Sequence, residues 1–239
     1  MEQLEKTSLL SYDLSLKYTH VMSTTYHQHC PVARALEIVG ERWTMLIARE
    51  LLLGPRRFTD LMEGLPGISA NVLTGRLKDL EQEGLVSRRV LPPPAASTVY
   101  ELTEDAGGLA DVLAAMTRWG TSMLGRPRRG DVVRSEWLLL ASAVTSLAPE
   151  AIEGATFEVH SGDEVVHVEA RDGRLHPRQG PASSPTAVIT ARATALAQIA
   201  SGDLTTPAAL DSGAVAITGD RAAARRFLDL MSGLSPART

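Results

Sequence analysis

The chain has 239 residues, 44% hydrophobic and 22% charged, with 24 Lys and Arg against 28 Asp and Glu for a net charge of −4. That length exceeds one small domain and fits two, each with a proper core. A single cysteine excludes an intramolecular disulfide framework and agrees with a reducing cytoplasm. The opening MEQLEKTSLLSYDLSLKYTH has early acids and no long apolar run, so it reads as neither signal peptide nor membrane span. The acid is unevenly placed: residues 26–130 carry 13 Lys and Arg against 12 Asp and Glu, whereas 131–239 carry 9 against 13.

In the first 25 residues, Leu9, Leu10, Leu14 and Leu16 suit either a short amphipathic helix that packs on a partner subunit or a frayed tail. His27, His29 and Cys30 follow, just before Pro31, a residue suited to the first turn of a helix. Helix-start amides favour thiolates, which makes Cys30 a candidate redox-reactive residue. As metal ligands the three lack a fourth partner at useful spacing, and no metal or cofactor is expected. Across residues 32–53, Leu36, Val39, Trp43, Leu46, Ile47, Leu51 and Leu52 supply a helical apolar face that Gly40 divides in two, and Gly54-Pro55 ends the second helix.

FTDLMEGL, residues 58–65, has the length and pattern of a short helix, and Pro66-Gly67 forces a turn after it. Ser69 is placed to N-cap the next helix, starting near Ala70. Leu73, Leu77 and Leu80 recur at i, i+4 and i+7 as one apolar stripe, with Asn71, Thr74, Gly75, Lys78 and Gln82 on the opposite side. Gly84 stops this helix. Two short helices joined by a tight turn make a helix-turn-helix. Two strand-like runs, 85–90 and 98–102, flank PPPAAS and complete a winged helix. The cations cluster here, as Arg56-Arg57, Arg76, Lys78 and Arg88-Arg89, a pattern that suits a phosphate backbone.

A further amphipathic helix spans Glu104 to Leu124, with Leu109, Val112, Leu113, Met116, Trp119 and Met123 on or near one side. GRPRRGD, residues 125–131, marks the domain boundary, so the expected division is an extension at 1–25, a winged helix domain at 26–125, a linker at 126–131 and a second domain at 132–235.

CPVARALEIVGERW, LIARELLLGPRRFTDL, GIS..VLTGRLKDLEQEGLV and VYELTEDAGGLADVL resemble the HxlR-type winged helix regulators, relatives of the MarR group, over about residues 29–125. The resemblance implies a DNA-binding transcriptional regulator, a repressor. On that reading Ser69, Asn71, Thr74 and Lys78 on the outer helix face point toward the groove, with Arg76, Arg88 and Arg89 nearer phosphates or wing. The resemblance also implies a homodimer built by the 104–124 helix and the first helix. That dimer would set two recognition helices on the order of 34 Å apart on an inverted-repeat operator in double-stranded DNA. Some members sense oxidants or electrophiles through the cysteine of the same Cys-Pro-Val motif. At the wing the chain departs from the pattern, having PPPAASTVY where a Pro-Pro-Arg type turn is common.

Beyond residue 131 an apolar helix (134–148) precedes two alternating strands, ATFEVH and EVVHVEA, around the hairpin turn Ser161-Gly162-Asp163. Glu158 then faces His167 across the hairpin, a structural pair. A strand at 186–191, a helix at 193–201, a strand at 214–218 and a closing helix from Asp220 to Met231 follow. A two-domain α+β chain results, its second half a sheet covered by helices. TAVITARATALAQIASGDLTTPAALDSGAVAITGDRAAARRFLDLM resembles the sterol-carrier-protein type lipid-binding fold over about residues 131–235. That resemblance implies an apolar tunnel and a hydrophobic small-molecule effector, with Trp137, Phe157, Leu196, Ile199, Phe227 and Met231 as candidate lining. The C-terminal SPART lacks a peroxisomal address.

No enzyme is expected, since phosphate-binding glycine loops, a Cys partner set and a nucleophile elbow are missing from the sequence. Three readings stay open at this point: a dimeric regulator with an apolar effector, a thiol-based regulator acting through Cys30, and a lipid-binding carrier.

Overall fold

The computed structural model describes residues 25–93, 96–124, 127–145 and 150–232. The amphipathic segment expected around Leu9 to Leu16 and the C-terminal SPART lie outside the described residues. Two compact units divide between Leu109 and Ala110.

In the first unit, α1 (Pro31–Val39) starts with Pro31, whose missing N–H costs nothing there, and ends at Gly40. Trp43, in the left-handed region at φ 85°, opens α2 (Thr44–Leu52). α3 (Phe58–Gly64) and α4 (Ala70–Gln82) enclose the turn in which Gly67 adopts φ 89°, a value suited to glycine. Strands β2 (Val86–Val90) and β3 (Thr98–Leu102) form the wing hairpin. The core gathers Ile47 and Leu51 from α2, Leu61 from α3, Leu73, Leu77 and Leu80 from α4, and Leu85 and Val86 from the wing. All three leucines of the α4 stripe are buried, so truncating any one to Ala costs about 2–5 kcal/mol.

Two features depart from the sequence reading. Arg56 and Arg57 form a short strand, β1, paired antiparallel with β3, giving a three-stranded sheet in the order β1-β3-β2. Arg56 is also only 2% exposed, and so leaves the set of cations available to phosphates. Its Nε donates to the Glu50 backbone carbonyl at 3.4 Å, and its Nη2 lies 3.9 Å from the Glu50 carboxylate, itself 1% exposed. Arg49 donates twice to the same carboxylate, at 3.0 and 2.7 Å, and once to the Gly64 carbonyl at 3.2 Å. A Cβ on Gly64 would collide with the Glu50 carboxylate. This buried ion cluster therefore ties the end of α3 to α2 and β1. Removing one partner would strand a buried charge.

The helix expected over 104–124 forms as a 3-10 turn (Glu104–Gly107) followed by α5 (Gly108–Leu124). In the second unit, α6 (Ser135–Thr145) is capped from a distance. The Ser135 amide and hydroxyl donate to Glu164 Oε2, and Arg134 Nε donates to Glu164 Oε1 at 2.8 Å. Five strands, β4 (Thr156–Ser161), β5 (Glu164–Arg171), β6 (Arg174–Gln179), β7 (Ala187–Ala191) and β8 (Val215–Gly219), make one sheet in the order β6-β5-β4-β7-β8. Only β4 and β7 pair in parallel. Phe157, Val159, Val166, Val168 and Ile189 share a core with Leu139 of α6, Leu196 and Ile199 of α7 (Ala193–Ala200), Ala209 of α8 (Thr206–Asp211) and Phe227, Leu228 and Met231 of α9 (Arg221–Met231). β6 and α8 were not foreseen. Pro177 obscures β6 in the sequence, but β6 is an edge strand, where a missing N–H is tolerated.

On the opposite face of that sheet the register sets Glu158 across from His167 as expected. The carboxylate bonds elsewhere: Oε1 meets His160 Nε2 at 2.6 Å and Oε2 accepts from the Ala182 amide at 2.7 Å. His160 and that amide together hold the Glu158 carboxyl below its usual range. His167 Nδ1 instead meets the Gly180 carbonyl at 2.9 Å, so both residues fasten the 180–186 connection to the sheet.

Candidate nucleic-acid interface

Presentation of α4 begins with its cap. Ser69 Oγ accepts from the Val72 amide at 3.3 Å, and Ser69 itself is exposed. With the leucine stripe turned inward, Asn71, Val72, Thr74, Gly75, Lys78 and Gln82 are left exposed on the outer side. An ideal Cβ built on Gly75 meets no atom within 4 Å, so no packing among the described residues calls for a glycine there.

The cations expected around the helix differ in their freedom. Arg76 is held by Asp79 at 2.9 Å and by Glu41 at 3.1 Å. Arg89 makes a two-pronged pair with Glu101 across the wing hairpin, both bonds 2.9 Å; this holds the Glu101 carboxyl below its usual range and raises Arg89 above its own. Such an exposed pair adds little to stability. Lys78 on the helix and Arg88 on the wing are exposed and make no ion pair among the described residues. Clustering in the sequence draws attention to all four cations, but it could not show which of them already have a carboxylate partner.

A family model described as HxlR-like helix-turn-helix matches residues 38–127. Two Bacillus subtilis regulators are similar over this part of the chain. YvaP, an uncharacterized HTH-type transcriptional regulator, is 38% identical over 96 residues, which is 40% of this chain and 89% of YvaP. The HTH-type transcriptional regulator YodB is 41% identical over 91 residues, 38% of this chain and 81% of YodB. The chain belongs to the HxlR-like helix-turn-helix family. It is a DNA-binding transcriptional regulator, and α3, the Gly67 turn and α4 form its helix-turn-helix, with β2 and β3 as the wing.

This HxlR-like regulator carries a second domain of different likeness. A family model described as alkyl sulfatase C-terminal matches residues 141–237. Among solved structures, the UbiJ-SCP2 ubiquinone synthesis protein is similar at 15% identity and a TM-score of 0.31, over 35% of this chain and 69% of that one. Five of the six candidate lining residues, Phe157, Leu196, Ile199, Phe227 and Met231, lie in the packed core, where Phe157 and Phe227 stack at 4.5 Å and 11°. Trp137 is half-buried, with the Arg134 guanidinium 5.8 Å from its ring centroid.

Cys30 is half-buried at the N-cap of α1. The segment before it is anchored by the buried Glu37, whose carboxylate accepts from Thr25 Oγ1 and the Tyr26 amide, both at 2.8 Å, and from Arg34. Those bonds, Arg34 first, hold the Glu37 carboxyl down to about 2. Among the described residues no cluster of His, Cys, Asp and Glu is arranged to hold a metal, and no helix is long and apolar enough to cross a membrane.

Proposed function

We propose that the regulator acts as a homodimer that represses transcription from an inverted-repeat operator and takes a hydrophobic small molecule in its C-terminal domain. The observation that carries the dimer is the outer side of α5, where Val112, Met116, Trp119 and Met123 recur at i, i+4, i+7 and i+11 and all are exposed, Trp119 to 70%. A row of this kind on one helix is covered most simply by its own copy about a twofold axis. Val32 and Leu36 give α1 a smaller exposed apolar pair. In this reading residues 26–125 bind DNA and dimerise, 126–131 link, and 132–235 receive the effector. Ser69, Asn71, Thr74 and Lys78 face base edges, while Arg76, Arg88 and Arg89 serve phosphates or the wing. Repression needs only that the bound dimer occupy promoter DNA.

Analytical ultracentrifugation of wild type and of the double variant Met116→Glu, Trp119→Glu tests the assembly. A dimer is expected for wild type and a monomer with weakened operator binding for the variant; a monomeric wild type overturns the reading. The effector is tested by native mass spectrometry of the purified protein and by operator release on adding the compound found. A ligand that leaves the operator affinity unchanged has no regulatory coupling.

A second input is supported by the half-buried placement of Cys30 at a helix start. Its test is Cys30→Ser: loss of an oxidant response with retained ligand response assigns sensing to the thiol, and an unchanged oxidant response removes it.

A further inference from the structure

Gly75 occupies an unusual place on α4. At about 100° per residue it lies about 165° from the midline of Leu73, Leu77 and Leu80, so the outer line of the helix carries no side chain between Asn71 and Lys78, and Gln82 follows on that line two turns on. Asn71 stands one turn before it and Lys78 one turn after, with Val72 and Thr74 to either side, all exposed. Glycine inside a helix is disfavoured relative to alanine. Among the described residues nothing asks for it here: a Cβ would meet no atom within 4 Å, and Gly75 is absent from the residues with positive φ.

We infer that Gly75 is the seat on which the recognition helix rests against the floor of the major groove, and that the base pair beneath it is A·T, with Asn71 reading the adenine and the thymine methyl in the space a Cβ would fill. The inference rests on the groove-binding reading of α4. A major groove about 12 Å wide barely admits a helix of about 10–12 Å with its side chains, so a bare backbone at the foremost point lets the axis sink deeper. The residues around that point carry the chemistry of an A·T reader. Asn71 supplies the amide that pairs with adenine N6 and N7, and Val72 and Thr74 supply methyl groups suited to the thymine methyl. Arginine, the usual reader of guanine, is present on α4 only as Arg76, which is bound to Asp79 and Glu41. Lys78 is left for a phosphate or for a neighbouring pair.

The test selects duplexes from a randomised pool with the full-length protein. It then measures wild type and Gly75→Ala on the selected duplex and on one in which the candidate thymines are replaced by uracil, which lacks the methyl. Wild type should select A·T at one fixed position in each half-site and bind the uracil duplex several-fold more weakly. Gly75→Ala should melt about 2–4 °C higher, because the helix itself improves. It should nevertheless lose about tenfold or more in affinity and no longer distinguish uracil from thymine. A variant that binds within about twofold of wild type, or a guanine selected at the fixed position, overturns the inference. A wild-type protein that selects no duplex at all overturns the underlying groove-binding reading instead, and is told apart because the Gly75→Ala comparison then has no complex to start from.

Discussion

Helices α4 and α9 make an instructive pair. Each begins at a side-chain cap, Ser69 for α4 and Asp220 for α9, where Asp220 accepts from the Ala222 and Ala223 amides at 2.9 and 3.0 Å. Each buries one stripe, Leu73, Leu77 and Leu80 in α4 and Ala223, Ala224, Phe227, Leu228 and Met231 in α9. The outer faces differ in an unexpected direction. Arg221, Arg225 and Arg226 are all exposed on α9, whereas α4 offers Lys78 and an Arg76 already bound to two carboxylates. By charge alone α9 is the better polyanion surface. What α4 has instead is a helix and tight turn before it and a hairpin after it, the arrangement of a winged helix-turn-helix. In the proposed complex base reading falls to side chains such as Asn71, since cations fix affinity and register without carrying sequence.

The comparison breaks hardest in the buried stripes. Phe227→Ala removes the ring stacked on Phe157 and should cost about 3–5 kcal/mol, read by urea denaturation of the C-terminal unit. Next comes the charge contrast. Lys78→Ala should weaken operator binding and lower the slope of log affinity against log salt by about one, while Arg225→Ala with Arg226→Ala leaves both unchanged. Equal effects from the two sets would place α9 against DNA as well and erase the distinction. Loss of the cap, Ser69→Ala, should cost about 1 kcal/mol in thermal unfolding and weaken DNA binding, since the same turn carries Asn71. An effect confined to acid pH concerns Glu37. Its carboxyl is depressed from 4.5 to about 2, so its contribution is present above the unfolded value and is lost as pH falls from about 4.5 through about 2. Glu37→Gln should remove that acid-side loss, seen as a flatter melting temperature between pH 5 and 2, both values about those expected for carboxylate titration.

Much of α4 was legible because its information is local: a cap, a 3.6-residue stripe and a stop glycine lie within sixteen positions of one another. The hairpin register of β4 and β5 was legible for the same reason, since two alternating strands met at a glycine turn. What stayed hidden depends on partners brought in by the fold. Arg56 looks like half of a surface pair until β1 joins β3 and Glu50 closes over it. Arg89 looks available until the hairpin sets Glu101 beside it. Glu158 faces its expected residue yet bonds to His160 and to an amide twenty-four positions away. The edge strand β6 was masked by Pro177, because a sequence pattern does not say which strand ends up with only one neighbour.

Tyr100 stands across from Arg56 on one edge of β3 and from Arg88 on the other. The same strand thus braces the wing and the segment that leads into the first helix of the helix-turn-helix, and the base of the wing is held in register before any duplex arrives. In the proposed complex, association would have little backbone left to organise at the base of the wing, which would favour a fast encounter over one that waits on rearrangement.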